Sequence, residues 1–188
     1  MGGTAGDNGG RVLTFEAFRA SLTAGVLVPV WRDCLLDADT AVAAFHRLRQ
    51  PPFAFLLESA PAGGETWARY TFMGTAPRAG WRLADGVVET WTAARGWHGA
   101  HAPEDPFADL RAALTAHPVA EVPELGAFWG GAVGYFSYDT VRHIERLDAP
   151  PPRGIAAPDA LFLLTGTVVI VDNLRAQARV VASVASPD

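Results

Sequence analysis

The tightest constraint on the fold is a series of strand-length apolar segments separated by turn signals. Asp85-Gly86 stands between Trp81–Leu83 and Val87–Trp91, and this dipeptide suits a two-residue hairpin because both of its residues tolerate positive φ. Phe53–Leu57 is a continuous apolar run, Trp67–Met73 alternates, and Leu161–Asp172 and Ala178–Val184 read as two apolar strands joined through Asn173-Leu174-Arg175. Consecutive strands with short turns pair antiparallel, since a parallel crossover needs about a dozen residues or more. Pro29 interrupts the Val26–Leu36 strand and predicts an edge or a bulge there.

Helical patterns are few. Phe15, Phe18 and Leu22 follow Thr14, a candidate N-cap, and Gly25 closes that helix. A second helix starts at Asp39 or Thr40, carries Val42, Phe45 and Leu48 on one face, and ends at Pro51-Pro52. Asp105-Pro106 opens a third, with Phe107, Leu110 and Leu114 as its buried face. Val141, Ile144 and Leu147 mark a short amphipathic helix before Pro150-Pro151-Pro152. Strands dominate without regular βαβ alternation, so the expected class is α+β, a largely antiparallel sheet with a few helices.

With 49% hydrophobic and only 19% charged residues, the chain is too apolar for a disordered tail. The first ten residues, MGGTAGDNGG, have no apolar period, so residues 1–11 are expected as a flexible arm and 12–188 as one domain. Fifteen basic residues, all Arg, against twenty acidic ones leave a net charge of −5, and Arg142, Arg146 and Arg153 are too dispersed for an electrostatic footprint, which argues against nucleic acid as a partner. No apolar run reaches the roughly 18 residues of a membrane span. A lone Cys34 and no secretory signal point to a cytoplasmic protein.

Catalytic signatures such as HExxH, CxxC, GxSxG and GxxxxGK[ST] do not occur. His98 and His101 are three apart but have no third ligand nearby, so no metal site is expected. Gly130-Gly131-Ala-Val-Gly134 superficially resembles a phosphate loop, yet Phe128, Trp129, Tyr135 and Phe136 flank it, which favours close backbone or side-chain approach instead. Asp139, Arg142 and Glu145, spaced at i, i+3, read as an exposed helix face. Glu58-Ser59 closes the apolar strand Phe53–Leu57 and leaves two readings open: solvated strand end, or polar anchor at the mouth of an apolar pocket, with the carboxylate holding an ammonium group.

The run Leu35-Leu36-Asp37…Thr40, Phe55-Leu-Leu-Glu-Ser59, Gly63-Gly64-Glu65, Arg69-Tyr-Thr-Phe72 and Gly74 closely resembles the N-terminal domain of anthranilate synthase component I. Phe128-Trp-Gly-Gly-Ala-Val-Gly-Tyr135, Tyr138-Asp139, Val141-Arg142, Ile144-Glu145-Arg146-Leu147 and Pro158-Asp-Ala…Val168–Asp172 are similar to later signatures of the same family. The resemblance extends, in order, over about residues 14 to 185, with Thr71 where many members carry Ser.

What it implies is the N-terminal half of an α/β/β/α sandwich that packs against a catalytic chorismate-binding domain. That domain, with the catalytic residues and the Mg2+ site, is expected to be absent here, so this chain alone is expected to be inactive and to hold no cofactor. In the family this N-terminal domain is regulatory and binds L-tryptophan as feedback inhibitor; the matching positions are Leu57, Glu58, Ser59 and Arg69. The complete enzyme converts chorismate to anthranilate, a lyase step of tryptophan biosynthesis, with ammonia from a glutamine amidotransferase subunit. Aminodeoxychorismate synthase component I, of the folate pathway, shares the Gly-Gly…Gly-Tyr…Tyr-Asp signature and is the alternative; a stand-alone small-molecule-binding domain is another.

Overall fold

A computed structural model describes residues 15–23, 25–59, 69–126, 128–147 and 155–185. The arm over 1–11, Thr14, the Gly63-Gly64-Glu65 and Trp67 positions and the Pro150-Pro151-Pro152 stop lie outside the described residues.

Among the described residues ten strands form two five-stranded sheets in which every ladder is antiparallel. The first sheet runs in the order β1 (Val28–Leu35), β10 (Gln177–Val184), β9 (Thr167–Asp172), β3 (Tyr70–Thr75), β2 (Ala54–Glu58). The second runs β6 (Gly96–His101), β5 (Val87–Thr92), β4 (Ala79–Ala84), β8 (Ala160–Leu164), β7 (Ala132–Phe136). The antiparallel α+β class is therefore observed. Pro29 sits on β1, an edge strand, where its missing N–H does least harm. Asp85 and Gly86 take φ of 51° and 76° between β4 and β5, the conformation a right-twisted hairpin requires.

One strand reading needs correction. The run Leu161–Asp172 is two strands, β8 and β9, and the chain changes sheet at Thr165-Gly166. Thr165 is buried, and its hydroxyl accepts from the Gly131 amide at 2.9 Å and donates to the Gly131 carbonyl at 3.2 Å. A Cβ on Gly166 would come within 2.9 Å of the Ala76 carbonyl oxygen, because β3 crosses into β4 at the same corner. Two paired strands thus bend together from one sheet into the other, and the local mark of this in the sequence is the Thr165-Gly166-Thr167 interruption of the apolar run.

The helices follow their caps better than their faces. In α1 (Phe15–Thr23) the Gly25 amide donates to Leu22 O at 2.9 Å, with Gly25 at φ 73°. Thr40 caps α2 (Ala41–Leu48) by accepting from Ala43 N. The packed face of α2 is Ala41, Ala44 and Phe45 against Met73, Val171 and Ala178, whereas Val42 and Leu48 stay 50% and 47% exposed. Small side chains let the helix lie close to the sheet, and only Phe45 of the expected stripe is used. Asp105 accepts from the Phe107 and Ala108 amides at the start of α3 (Pro106–Thr115). Leu110 and Ala113 of this helix pack on Trp81, Leu83 and Val88, while Leu114 is exposed. The fourth expected helix is a 3₁₀ segment, Tyr138–His143, that leaves Ile144 71% exposed. It is anchored instead by the buried Thr140, whose hydroxyl donates to Asp159 O at 2.6 Å. No described helix is long and apolar enough to cross a membrane.

A second polar junction holds α3 to its sheet. Asp109 accepts from Trp81 Nε1 at 2.7 Å, and its other oxygen lies 2.8 Å from His101 Nε2. His101 Nδ1 lies 2.9 Å from Gly99 O. Both ring nitrogens face acceptors, so the imidazolium, which donates from both, fits this geometry best. The Gly99 carbonyl first, and then the Asp109 carboxylate, raise the His101 pKa above its ordinary value. A raised folded-state pKa contributes stability that is complete below about 6.5 and lost as pH rises through the folded value. His101→Gln is therefore expected to lower the melting temperature at pH 5.5, with the gap from the parent chain closing at alkaline pH in paired thermal melts.

Candidate functional site

One end of the first sheet gathers the end of β2, the start of β3, the β9–β10 turn and the end of β1. Strand side chains alternate between faces, so Phe72 and Ile170, directly opposite in the ladder, share one face, and Thr71 and Val171 share the other. Over the first of these faces lies a cleft of about 500 Å³, walled on its far side by Pro123–Gly126 and Phe128. Its apolar lining includes Phe72, Ile170, Leu125 and Phe128, with the Phe72 and Phe128 rings edge to face at 5.4 Å.

The cleft's charged lining is built from two Arg–Asp pairs. Arg69 Nε lies 3.0 Å from each Asp172 carboxylate oxygen, and Nη2 makes a further short bond to Oδ2. Asp172 also accepts from the Leu174 and Arg175 amides at 3.1 and 3.3 Å, which fixes the β9–β10 turn. The bonds from Arg69 hold the Asp172 carboxyl below the usual carboxylate range, and the same pairing raises the Arg69 pKa. The Arg69 guanidinium also stands 4.9 Å over the Tyr70 ring. Across the cleft Arg179 forks onto Asp33 at 2.6 and 2.8 Å, and these bonds lower the Asp33 pKa.

The expected site residues divide between two faces. Leu57 pairs with Phe72 and so shares the cleft's face, 46% exposed. Arg69 lines the cleft. Glu58 pairs with Thr71 on the opposite face and lines a second cleft of about 300 Å³ with Leu36, Thr40 and Asn173. Ser59 is exposed directly beyond the end of β2. A period of two separates the neighbours Leu57 and Glu58, and the edge strand that carries them ends at this point.

Sequence reading missed Asp33, Asp172, Arg179, Glu124 and Phe128 as cleft residues. The available signal was weak: charges at Asp33 and Arg179 inside strands of largely apolar residues, with Arg32 beside the first. His98 Nδ1 and His101 Nδ1 turn to carbonyls of their own strand. Gly134 lies in β7, where an added Cβ would meet Leu161 O at 2.0 Å, so close strand approach accounts for this glycine. Asp139 and Arg142 form a 3.2 Å ion pair on the 3₁₀ segment.

No family model matches the chain. Anthranilate synthase component 1 of Acinetobacter calcoaceticus is 38% identical over 164 residues, covering 84% of this chain and 33% of that protein. The Pseudomonas putida protein of the same name is 36% identical over 168 residues, 84% of this chain and 32% of its own. That of Mycolicibacterium smegmatis is 33% identical over 169 residues, 89% and 32%. The crystal structure of anthranilate synthase component I from Streptococcus pneumoniae TIGR4 covers 77% of this chain and 30% of its own, at 23% identity and a TM-score of 0.49. The chain spans about a third of the length of the curated relatives it matches.

Proposed function

The chain belongs to the anthranilate synthase component I family, and we propose that it is the regulatory and scaffolding N-terminal domain of such an enzyme, acting in the cytoplasm and binding L-tryptophan at the open end of its first sheet. The observation that carries this reading is the cleft beside Arg69, which combines an aromatic floor with a guanidinium whose Nη1 is not used by Asp172. An aromatic amino acid brings a carboxylate for such a nitrogen and a ring system that buries about 150–250 Å². Leu57 and Ser59 would line the mouth on the β2 side. Glu58, at the strand's end on the other face, would reach the ammonium around the sheet edge.

In the complete enzyme, conversion of chorismate and ammonia to anthranilate and pyruvate would take place on a catalytic domain, with a glutamine amidotransferase subunit as ammonia source. This chain's described residues hold no group of three His, Cys, Asp or Glu side chains placed to bind a metal ion. Its contribution would be to sense the end product and to transmit that state through the packed sheets.

Titration calorimetry with L- and D-tryptophan tests the reading on the chain itself and on a full-length enzyme carrying it. The L-isomer is expected to bind and the D-isomer to bind at least about tenfold more weakly, a difference of 1.4 kcal/mol. Arg69→Met is expected to weaken the L-isomer by about tenfold or more. Equal affinity for both isomers, or L-tryptophan binding untouched by Arg69→Met, would overturn the site.

A further inference from the structure

We propose that Arg179 is a latch that positions the outer wall of the cleft, the segment Pro123–Gly126, through a three-way junction with Asp33 and the Glu124 carbonyl. All three guanidinium nitrogens are committed. Nε and Nη2 donate to the two Asp33 oxygens at 2.6 and 2.8 Å, and Nη1 donates to Glu124 O at 2.7 Å. Asp33 and Arg179 are ladder partners on β1 and β10, so the guanidinium stands on a rigid two-strand base and reaches from it to the wall.

The wall needs such a tie. It is a single 3₁₀ turn, Pro123–Leu125, closed by Gly126 at φ 75°. Its internal bonds lie at the long end of the ordinary range, Leu125 N to Val122 O at 3.1 Å and Gly126 N to Pro123 O at 3.2 Å. Upstream it is fastened where Leu27 bonds Pro118 O and Ala120 N, and downstream where Gly131 meets Thr165. Between these points Leu125 is buried against Trp129, Ile170 and Val181, which fixes the turn's apolar side. Arg179 fixes its backbone, and so sets the gap between the wall and the Phe72–Ile170 floor.

A lysine cannot reproduce this junction, because one ammonium lacks the planar fork that meets both carboxylate oxygens while a third nitrogen reaches the carbonyl. Asp33 matters as the anchor that aims the guanidinium: with an amide in its place one charge-assisted bond is lost and Arg179 is free to swing into the cleft it lines. Neither residue has to touch a ligand. Their effect on binding, which rests on the amino-acid reading of this cleft, would come through the wall.

Hydrogen exchange read by mass spectrometry on the whole chain tests the latch without any ligand. Arg179→Met, Arg179→Lys and Asp33→Asn are each expected to speed exchange of the Leu125 and Gly126 amides by about tenfold, while β3 and β9 amides keep their protection. Unchanged exchange at the wall, or an equal rise throughout both sheets, would overturn the latch. Adding L-tryptophan separates this proposal from the reading it rests on. If the parent chain fails to bind L-tryptophan while the wall responds as expected, the ligand reading falls and the latch stands. Should Arg179→Met loosen the wall and bind L-tryptophan as tightly as the parent, the wall's role in the site is overturned.

Discussion

Gly134→Val is expected to abolish the native fold, read as loss of cooperative thermal unfolding. Gly134 pairs with Phe162 in the β7–β8 ladder, and even a single Cβ there would lie 2.0 Å from Leu161 O, 2.7 Å from Phe162 Cα and 2.8 Å from the Phe162 ring. Two of those atoms are backbone and belong to a strand locked on its far side by β4, so the overlap cannot be relieved by a side-chain rotation. Overpacking typically costs about 1–3 kcal/mol when side chains can yield. Here β7 must move away, and a branched side chain adds to the displacement. The Phe107–Phe136–Phe162 ring contacts that tie β7 to α3 and β8 would go with it. Gly130→Ala is the matched control. Its Cβ would meet the Ser183 hydroxyl at 3.1 Å and the Thr165 hydroxyl at 3.6 Å, and Ser183 can rotate aside. Near-parental melting of Gly134→Val would show that the strand approach is not what requires glycine.

Ser59→Phe is expected to remove L-tryptophan binding while sparing the fold. Ser59 is exposed just past the last β2–β3 ladder pair, Glu58 with Thr71. Continuing that register by one residue sets it opposite Tyr70, which lines the cleft. A phenyl ring at this point would occupy space that the proposed ligand's ring system needs, and the expected loss is at least about 100-fold, or about 2.7 kcal/mol. Substitutions at exposed positions usually change stability by no more than about 0.5 kcal/mol, so the melting temperature should stay near that of the parent. Calorimetry and melting curves on the same sample separate the two effects. Undiminished affinity in Ser59→Phe would remove Ser59 from the site and leave the family assignment intact.

What the sequence by itself determined is local. Asp85-Gly86, the Thr40 and Asp105 caps, Gly25 after the first helix and Pro29 on an edge strand all act within a few residues, and each is found doing so. The family was legible for a related reason, because its signatures are contiguous runs. Tertiary structure decided what depends on distant partners. The apolar stretch Leu161–Asp172 is interrupted at Thr165-Gly166-Thr167, a signal compatible with a bulge inside one strand, and the crossing of β3 into β4 at the same corner makes it a sheet boundary. The α2 face was settled by what lies beneath it: Met73, Val171 and Ala178 admit alanines and Phe45, and leave Val42 outside. The candidate site shows the same division. Leu57, Glu58, Ser59 and Arg69 stand out in the sequence, but the faces they occupy follow from β2–β3 register. The Arg69–Asp172 and Arg179–Asp33 pairs join residues 103 and 146 positions apart. No local periodicity encodes such pairs, since the energy that selects them exists only once the strands have found their order.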